Sequence, residues 1–258
     1  MRVQSVDRAV AILREFSVGE SLLGVTQLSE RLDLHKSTVH RLLASLVQGG
    51  LVERDPRSRK YRLGIGLMEL GYTAANSRKL LEIAQPYVRY LADKVEEVTY
   101  LAVRDKDEIL NLLQVPGPQL VQSVSWLGRG PLHCTATGKT FLAHMSEDEL
   151  KAVLERGLSP LTEKTITDPS DLRRELERVR EQRFATSFEE HQEGINALAA
   201  PITKPETDVV IAAVCAVGPT YRFTRDRAMS FADVVKSIAR EISQQLGTLP
   251  KEVLDLYG

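Results

Sequence analysis

Cysteine is scarce: 258 residues contain only Cys134 and Cys215, too few for a disulfide framework or a four-cysteine zinc site. A reducing, cytoplasmic setting is therefore the expectation. No apolar run approaches the ~20 residues of a membrane span, and Met1 to Glu20 lacks the apolar core of a secretory signal. A membrane-spanning or conventionally secreted protein is not expected. Internal repeats and low-complexity stretches are also lacking. What is present, 43% apolar and 27% charged residues, suits a chain that buries a core. At this length two domains fit better than one.

Net charge is only −1, yet residues 1–80 carry +5 and residues 81–258 carry −6. The two parts are expected to meet different partners. A basic module gains from a polyanion because neutralising phosphates releases condensed counterions; chance surface charge is the plainer alternative.

In the first module, Val6, Ala9, Val10, Leu13 and Phe16 recur at helical spacing, with Gly19 as a stop. Thr26 opens an S/T-x-x-x-E arrangement one residue longer than a capping box, and Leu28 and Leu32 give the short helix that follows an apolar face. After a tight turn at Asp33-Leu34-His35, a third helix is predicted from Lys36 to Gln48, ended by Gly49 and Gly50. On it Val39, Leu42, Leu43 and Leu46 form one stripe, while Ser37, His40, Arg41 and Ala44 form the opposite one. No acid occurs between Lys36 and Gln48. A helix lying in a major groove needs that composition, since carboxylates repel phosphates and bulk prevents close approach. Lys36 and Thr38 flank the stripe near the helix start, where free backbone N–H groups also favour phosphate oxygens. Leu51 to Arg54 and Lys60 to Leu63 then read as two short strands around Asp55-Pro56-Arg57-Ser58-Arg59. Helix-turn-helix plus basic hairpin is a winged helix, a DNA-binding module or, alternatively, a protein-interaction module.

Gly66 to Ala84 reads as a linker helix, and a new helix is predicted from Pro86 to Glu97 because proline is tolerated at a first turn but not in a helix interior. Its core face would be Tyr87, Val88, Leu91 and Val95. Strands are predicted at 98–104, 108–115, 120–126, 184–188, 195–202 and 209–217. Helices are predicted at 136–144, 147–156 and 169–182, with a final one after Thr224. This mixed order implies an α+β domain with a mainly antiparallel sheet.

Catalytic signals are weak. The Gly138-Lys139-Thr140 triplet is phosphate-loop-like, but the earlier glycine such a loop requires would stand at position 133, which is His133. His133 beside Cys134 suggests nucleophilic chemistry without a partner base. No pair among His133, Cys134, His144, His191 and Cys215 has diagnostic metal spacing. Small residues at Ala136, Thr137 and Gly138, opening a helix after a strand, either leave N–H groups for an anion or permit close helix packing.

The segment Leu34-His35-Lys36-Ser37-Thr38-Val39-His40-Arg41-Leu42-Leu43 resembles the recognition helix of the IclR family of bacterial transcription regulators. Three further stretches are similar to that family's effector-domain motifs: Pro131-Leu132-His133-Cys134-Thr135-Ala136-Thr137-Gly138-Lys139; Glu189 to Ile195 with Ala199-Ala200-Pro201-Ile202; and Val217-Gly218-Pro219 followed by Arg222. The resemblance implies a winged helix over 1–65, a linker helix over 66–84 and a GAF-like effector-binding domain over 85–258. It implies a double-stranded DNA operator, a small organic acid as effector, homodimers and possibly dimers of dimers, with no cofactor and no catalysis. Candidate DNA contacts are Thr26, Lys36, Ser37, Thr38, His40 and Arg41, with Arg57, Arg59 and Lys60 on the wing. Candidate effector contacts are Ala136, Thr137, Gly138, Ser187, Ile195, Ala197, Cys215 and Val217. Members that bind small oxo acids often carry serines where this chain has Cys215 and Val217, so a larger, partly apolar acid such as an aromatic carboxylate is expected. The alternative from another class is a metabolite-binding enzyme with a fused winged module.

Overall fold

The computed structural model describes residues 3–16, 20–76, 79–119, 128–205 and 207–249, without the side chains of 72–76. The strand expected at 120–126 lies outside the described residues. The chain divides into two compact units, Met1–Arg78 and Lys79–Gly258.

The first unit holds α1 (Gln4–Glu15), α2 (Val25–Leu32), α3 (Lys36–Gln48), β1 (Val52–Arg54), β2 (Tyr61–Leu63) and α4 (Gly66–Asn76). Its core joins Ile12, Phe16, Leu28, Val39, Leu43 and Leu46 to Leu23, Val52 and Tyr61 of the hairpin layer. The α1 stripe differs from expectation: Ile12 and Phe16 are buried, whereas Val6 and Val10 are exposed. Periodicity alone admits both faces on a helix with apolar residues on each side. Thr26 does not cap α2 either. The helix starts at Val25, and Gln27 Oε1 accepts from the Gly24 N–H at 2.9 Å, leaving Thr26 exposed in the first turn. Asp33 turns the chain in the left-handed region (φ 49°), and the His35 Nδ1 caps α3 by accepting from the Ser37 N–H.

Behind α3 the chain folds back on itself with almost no spare room. Gly50 has φ 69°, the Gly64 N–H donates to Leu51 O at 2.9 Å, and the Gly66 N–H donates to Gly50 O at 3.1 Å. A Cβ at Gly64 would stand 2.3 Å from the Gly50 carbonyl oxygen, and one at Gly66 2.8 Å from the same atom. Only glycine fits at either position.

The second unit begins with α5 (Lys79–Val95), which runs straight through Pro86. Pro86 lies inside this helix, not at its first turn. Leu80, Ala84, Val88, Leu91, Ala92 and Val95 form one continuous buried face across it. Burying six apolar side chains at ~1 to 3 kcal/mol each outweighs the ~3 kcal/mol cost of an interior proline. The strands are β3 (Val98–Asp105), β4 (Glu108–Val115), β5 (Arg129–Pro131), β6 (Ala185–Phe188), β7 (Ile195–Thr203) and β8 (Val210–Pro219). They form one antiparallel sheet in the order β5-β4-β3-β8-β7-β6. Helices α6 (Ala136–Leu142), α7 (Glu147–Glu155) and α8 (Pro169–Gln182) cover one face; α5, α9 (Arg225–Ser230) and α10 (Ala232–Leu246) cover the other. The single final helix expected from the sequence is thus two, parted at Phe231. Strand alternation sorts side chains between the two layers: Leu198, Ala200 and Ile202 face α10, while Ala197 and Ala199 face the other way. This is the α+β architecture expected from the order of the elements.

Candidate functional sites

On α3 the buried side is Val39, Leu43 and Leu46, and the exposed side is Lys36, Ser37, His40, Arg41 and Ala44, with Thr38 half-buried. The Ser37 hydroxyl shares a 2.7 Å hydrogen bond with His35. Among the described residues no carboxylate pairs with Lys36 or Arg41, so both guanidinium and ammonium are available to an outside partner. In the hairpin tip, Asp55 accepts from the N–H groups of Arg57 and Ser58, and the Ser58 hydroxyl holds its carboxyl below the usual range. Arg62 is taken by Glu53 at 3.1 Å and Arg54 lies over the Tyr61 ring at 5.8 Å. The hairpin therefore keeps Asp55, Arg54 and Arg62 occupied and leaves Arg57 and Arg59 exposed and Lys60 half-buried. Arg59, at φ 59°, sits at the turn itself.

In the second unit the sheet register builds a cavity. Ser187 pairs with Ala197 and Ala197 with Val217, while Tyr100 pairs with Cys215 and Cys215 with Ala199. Residues separated by up to 117 positions thus form two adjacent rows on the α6 side of the sheet. Above them, Thr135, Ala136 and Thr137 at the start of α6, His191 and Gln192 of the β6–β7 connection, and Ile109 and Asn111 of β4 close a cavity of about 90 Å³. That is room for a small molecule, not one water. Seven of the eight residues expected here line it: Ala136, Thr137, Ser187, Ile195, Ala197, Cys215 and Val217. Gly138 is the exception. A Cβ there would stand 2.3 Å from the Leu132 carbonyl oxygen, so its small size serves close packing of α6 on the Leu132 backbone, and its N–H is used by the Thr135 Oγ1 cap at 3.0 Å. Tyr100, Ile109, Asn111, Thr135, His191 and Gln192 were not singled out by motif as cavity residues. Strand register, a non-local property, brings in Tyr100, Ile109 and Asn111; Thr135 comes with the cap of α6, and His191 and Gln192 with the tethered β6–β7 connection.

The Gly-Lys-Thr triplet has a structural use. Lys139 is fully buried, and its Nζ donates to Glu190 at 2.7 and 2.9 Å and to Glu175 at 3.1 Å. Burial pushes the Glu190 carboxyl up against the pull of this ammonium. A lysine so occupied has no charge to spare for a phosphate. It instead ties α6 and α8 to the connection carrying His191, which the Thr162 and Thr165 hydroxyls also hold by donating to the carbonyls of Glu189 (2.7 Å) and Glu190 (2.6 Å). The closing Val-Gly-Pro stretch is likewise architectural. Arg222 Nη2 donates to the buried Glu97 at 2.9 Å, and a Cβ at Gly218 would lie 2.8 Å from that carboxylate carbon.

Neither thiol is poised for chemistry: burial pushes both Cys134 and Cys215 up to about 12. His133 uses Nε2 on the Ser159 carbonyl at 3.0 Å. No group of three metal-ligating side chains occurs among the described residues, and no helix there is long and apolar enough to cross a membrane.

A winged helix-turn-helix joined to an α+β unit with an internal cavity defines a class of transcription regulators that carry their own sensor. Residues 5–56 match the IclR helix-turn-helix domain and residues 72–244 match the bacterial transcriptional regulator IclR C-terminal domain; the chain belongs to the IclR family and is an HTH-type transcription regulator. It is 34% identical over 248 residues to the HTH-type transcriptional regulator KdgR of Escherichia coli (93% of this chain, 94% of that one). It is 32% identical over 246 residues to the E. coli repressor AllR (95% and 90%). A solved IclR regulator from Alicyclobacillus acidocaldarius superposes with a TM-score of 0.87 at 28% identity, covering 96% of this chain and 100% of that one. An IclR homolog from Microbacterium hydrocarbonoxydans complexed with 4-hydroxybenzoate gives 0.83 at 28% identity, covering 95% and 100%.

Proposed function

We propose that α3 reads an operator in the major groove through Ser37, Thr38, His40 and Arg41, that Lys36 and Thr26 contact flanking phosphates, and that Arg57, Arg59 and Lys60 follow the backbone from the wing. The acid-free outward face of α3 carries this reading. One helix reads few bases, so two copies on two half-sites are required for useful specificity. Support for pairing comes from apolar side chains exposed on the first unit, Val3 just before α1, Val6 and Val10 on it, and Ile65, Met68 and Leu70 around α4. Pairs of dimers are compatible with the same scheme. Action on a bacterial operator supports a cytoplasmic location.

Operator binding is tested by two variants measured together. Arg41→Ala is expected to weaken operator binding by ~1 to 3 kcal/mol and to relax base preference, because a guanidinium makes bidentate contact with guanine. Changing both Arg59 and Lys60 to Ala should weaken all sequences alike and flatten the salt dependence. Titrations against operator and scrambled duplexes at two salt concentrations separate these outcomes; an unchanged salt slope removes the wing from the interface.

The cavity is the effector site in this reading. Its acid would be held by the N–H groups of Ala136 and Thr137, with Ile195, Ala197, Cys215 and Val217 as an apolar wall suited to an aromatic carboxylate. The homolog holding 4-hydroxybenzoate supports that chemical class. The protein acts by binding and not by turnover, a reading supported by the two protonated, buried thiols. Ala197→Leu tests it. Overpacking a closed core costs ~1 to 3 kcal/mol, whereas filling a cavity costs little. The variant should keep its melting temperature and DNA binding while losing the response to an acid effector. A large fall in melting temperature with the response intact would remove the cavity from the mechanism.

A further inference from the structure

The cavity contains a charge problem for the ligand assigned to it. Among its described lining residues there is no lysine, arginine, aspartate or glutamate. A carboxylate taken out of water into such a place costs several kcal/mol unless a charge meets it. Helix α6 has only seven residues and the Thr135 side chain already occupies its third N–H, so two peptide dipoles and neutral side chains such as Asn111 and Gln192 face a full negative charge. The neighbouring cations are committed. Lys139 is shared by Glu190 and Glu175, Lys164 is taken by Glu189, and Arg222 by Glu97. Cys215 and Cys134 stay neutral thiols.

We infer that His191 is the cationic partner of the effector carboxylate, so that an acid enters this cavity together with one proton taken from solvent onto the imidazole. The inference rests on the reading of the cavity as the effector site. Three observations carry it. His191 lines the cavity and is half-buried. Its backbone is held in place on both sides, by Glu190 bound to Lys139 and by the Gly194 N–H donating to Glu189 Oε1 at 3.0 Å. Burial, and after it the neighbouring His133, push its pKa below the ordinary histidine value, which favours the neutral ring in the free protein. Of the groups near it, His133 before α6 bonds Ser159 O; Lys139 of α6, Glu175 of α8 and Glu190 form their own cluster; Glu189 is paired with Lys164; Tyr100 and Cys215 line the same cavity from the sheet. A carboxylate arriving beside the ring reverses the balance, because an opposite charge at contact raises an imidazole pKa.

The linkage has a fixed sign. Above the free-state pKa and below the bound-state pKa, one proton is taken up per ligand, so affinity falls about tenfold per pH unit as pH rises. Calorimetric titration of the full-length protein with benzoate and with 4-hydroxybenzoate, each in phosphate and in Tris across roughly pH 6 to 8, reads the uptake directly from the dependence of heat on buffer. Close to one proton per ligand is expected, together with the tenfold slope. His191→Gln should keep fold and DNA binding, bind the probes more weakly and lose both uptake and slope. Binding with no proton uptake, or a His191→Gln variant with an undiminished slope, overturns the inference while leaving the effector site intact. Failure of both acids to bind removes the effector reading itself, and the inference with it. A ring-proton NMR titration of the free protein adds an independent arm: a His191 that titrates above its ordinary value overturns the proposal whether or not a probe binds.

Discussion

Replacing Lys139 with Met is expected to destabilise the second unit by roughly 3 to 5 kcal/mol, because it leaves two carboxylates facing a site from which water is excluded. Lys139 is 0% exposed and Glu190 8%, so solvent cannot take over the lost ammonium. Glu175 suffers less, since Arg178 stands 3.3 Å away on the same helix; the loss falls chiefly on Glu190. At ~2 to 4 °C per kcal/mol for a unit of this size, the melting temperature should drop on the order of 10 °C. The double variant Lys139→Met with Glu190→Gln should recover most of it, since an isosteric neutral pair avoids the uncompensated charge. Thermal melts of the two variants settle the matter. A single variant that loses less than about 1 kcal/mol would place this ion cluster among ordinary surface pairs.

Gly138→Ala sets two effects of opposite sign against each other. Alanine in a helix is favoured over glycine by ~1 kcal/mol. The new methyl, however, would meet three backbone atoms of Leu132 at 2.3, 2.5 and 2.6 Å, and backbone held in a packed layer does not swing aside as a side-chain tip does. The clash should win, with a net cost of about 3 kcal/mol, at the upper end of overpacking penalties. Because Gly138 does not line the cavity, any acid that binds the unaltered protein there should bind the molecules that still fold with unchanged affinity. A variant of normal stability and lost ligand binding would return Gly138 to the effector contacts and contradict the packing account.

The sequence shows its local features clearly and its long-range pairings hardly at all. The α3 stripe needs nothing beyond the helical repeat, and its buried and exposed sides fall where the period puts them. The β7 and β8 segments announce themselves by β-branched and small apolar runs. Pro86 misleads because a local penalty is readable in isolation, whereas the six-residue apolar face that overrides it matters only once α5 lies against the sheet. Strand β5 has three residues, too short for a periodic signal. Glu190 stands 51 positions from Lys139, and no pattern in either neighbourhood joins them. His191 is similar: as a residue type it suggests a surface histidine, and its place at the cavity comes entirely from how the β6–β7 connection is tethered.

The three glycines behind α3 carry a mechanical consequence. Backbone touches backbone where α4 leaves the winged unit, with Gly66 bonded to Gly50 and Gly64 to Leu51, and no side chain lies between to compress or rotate. Two hydrogen bonds, at 2.9 and 3.1 Å, thus fasten the start of α4 to the turn that ends α3, and any side chain larger than hydrogen at Gly64 or Gly66 would wedge the two segments apart.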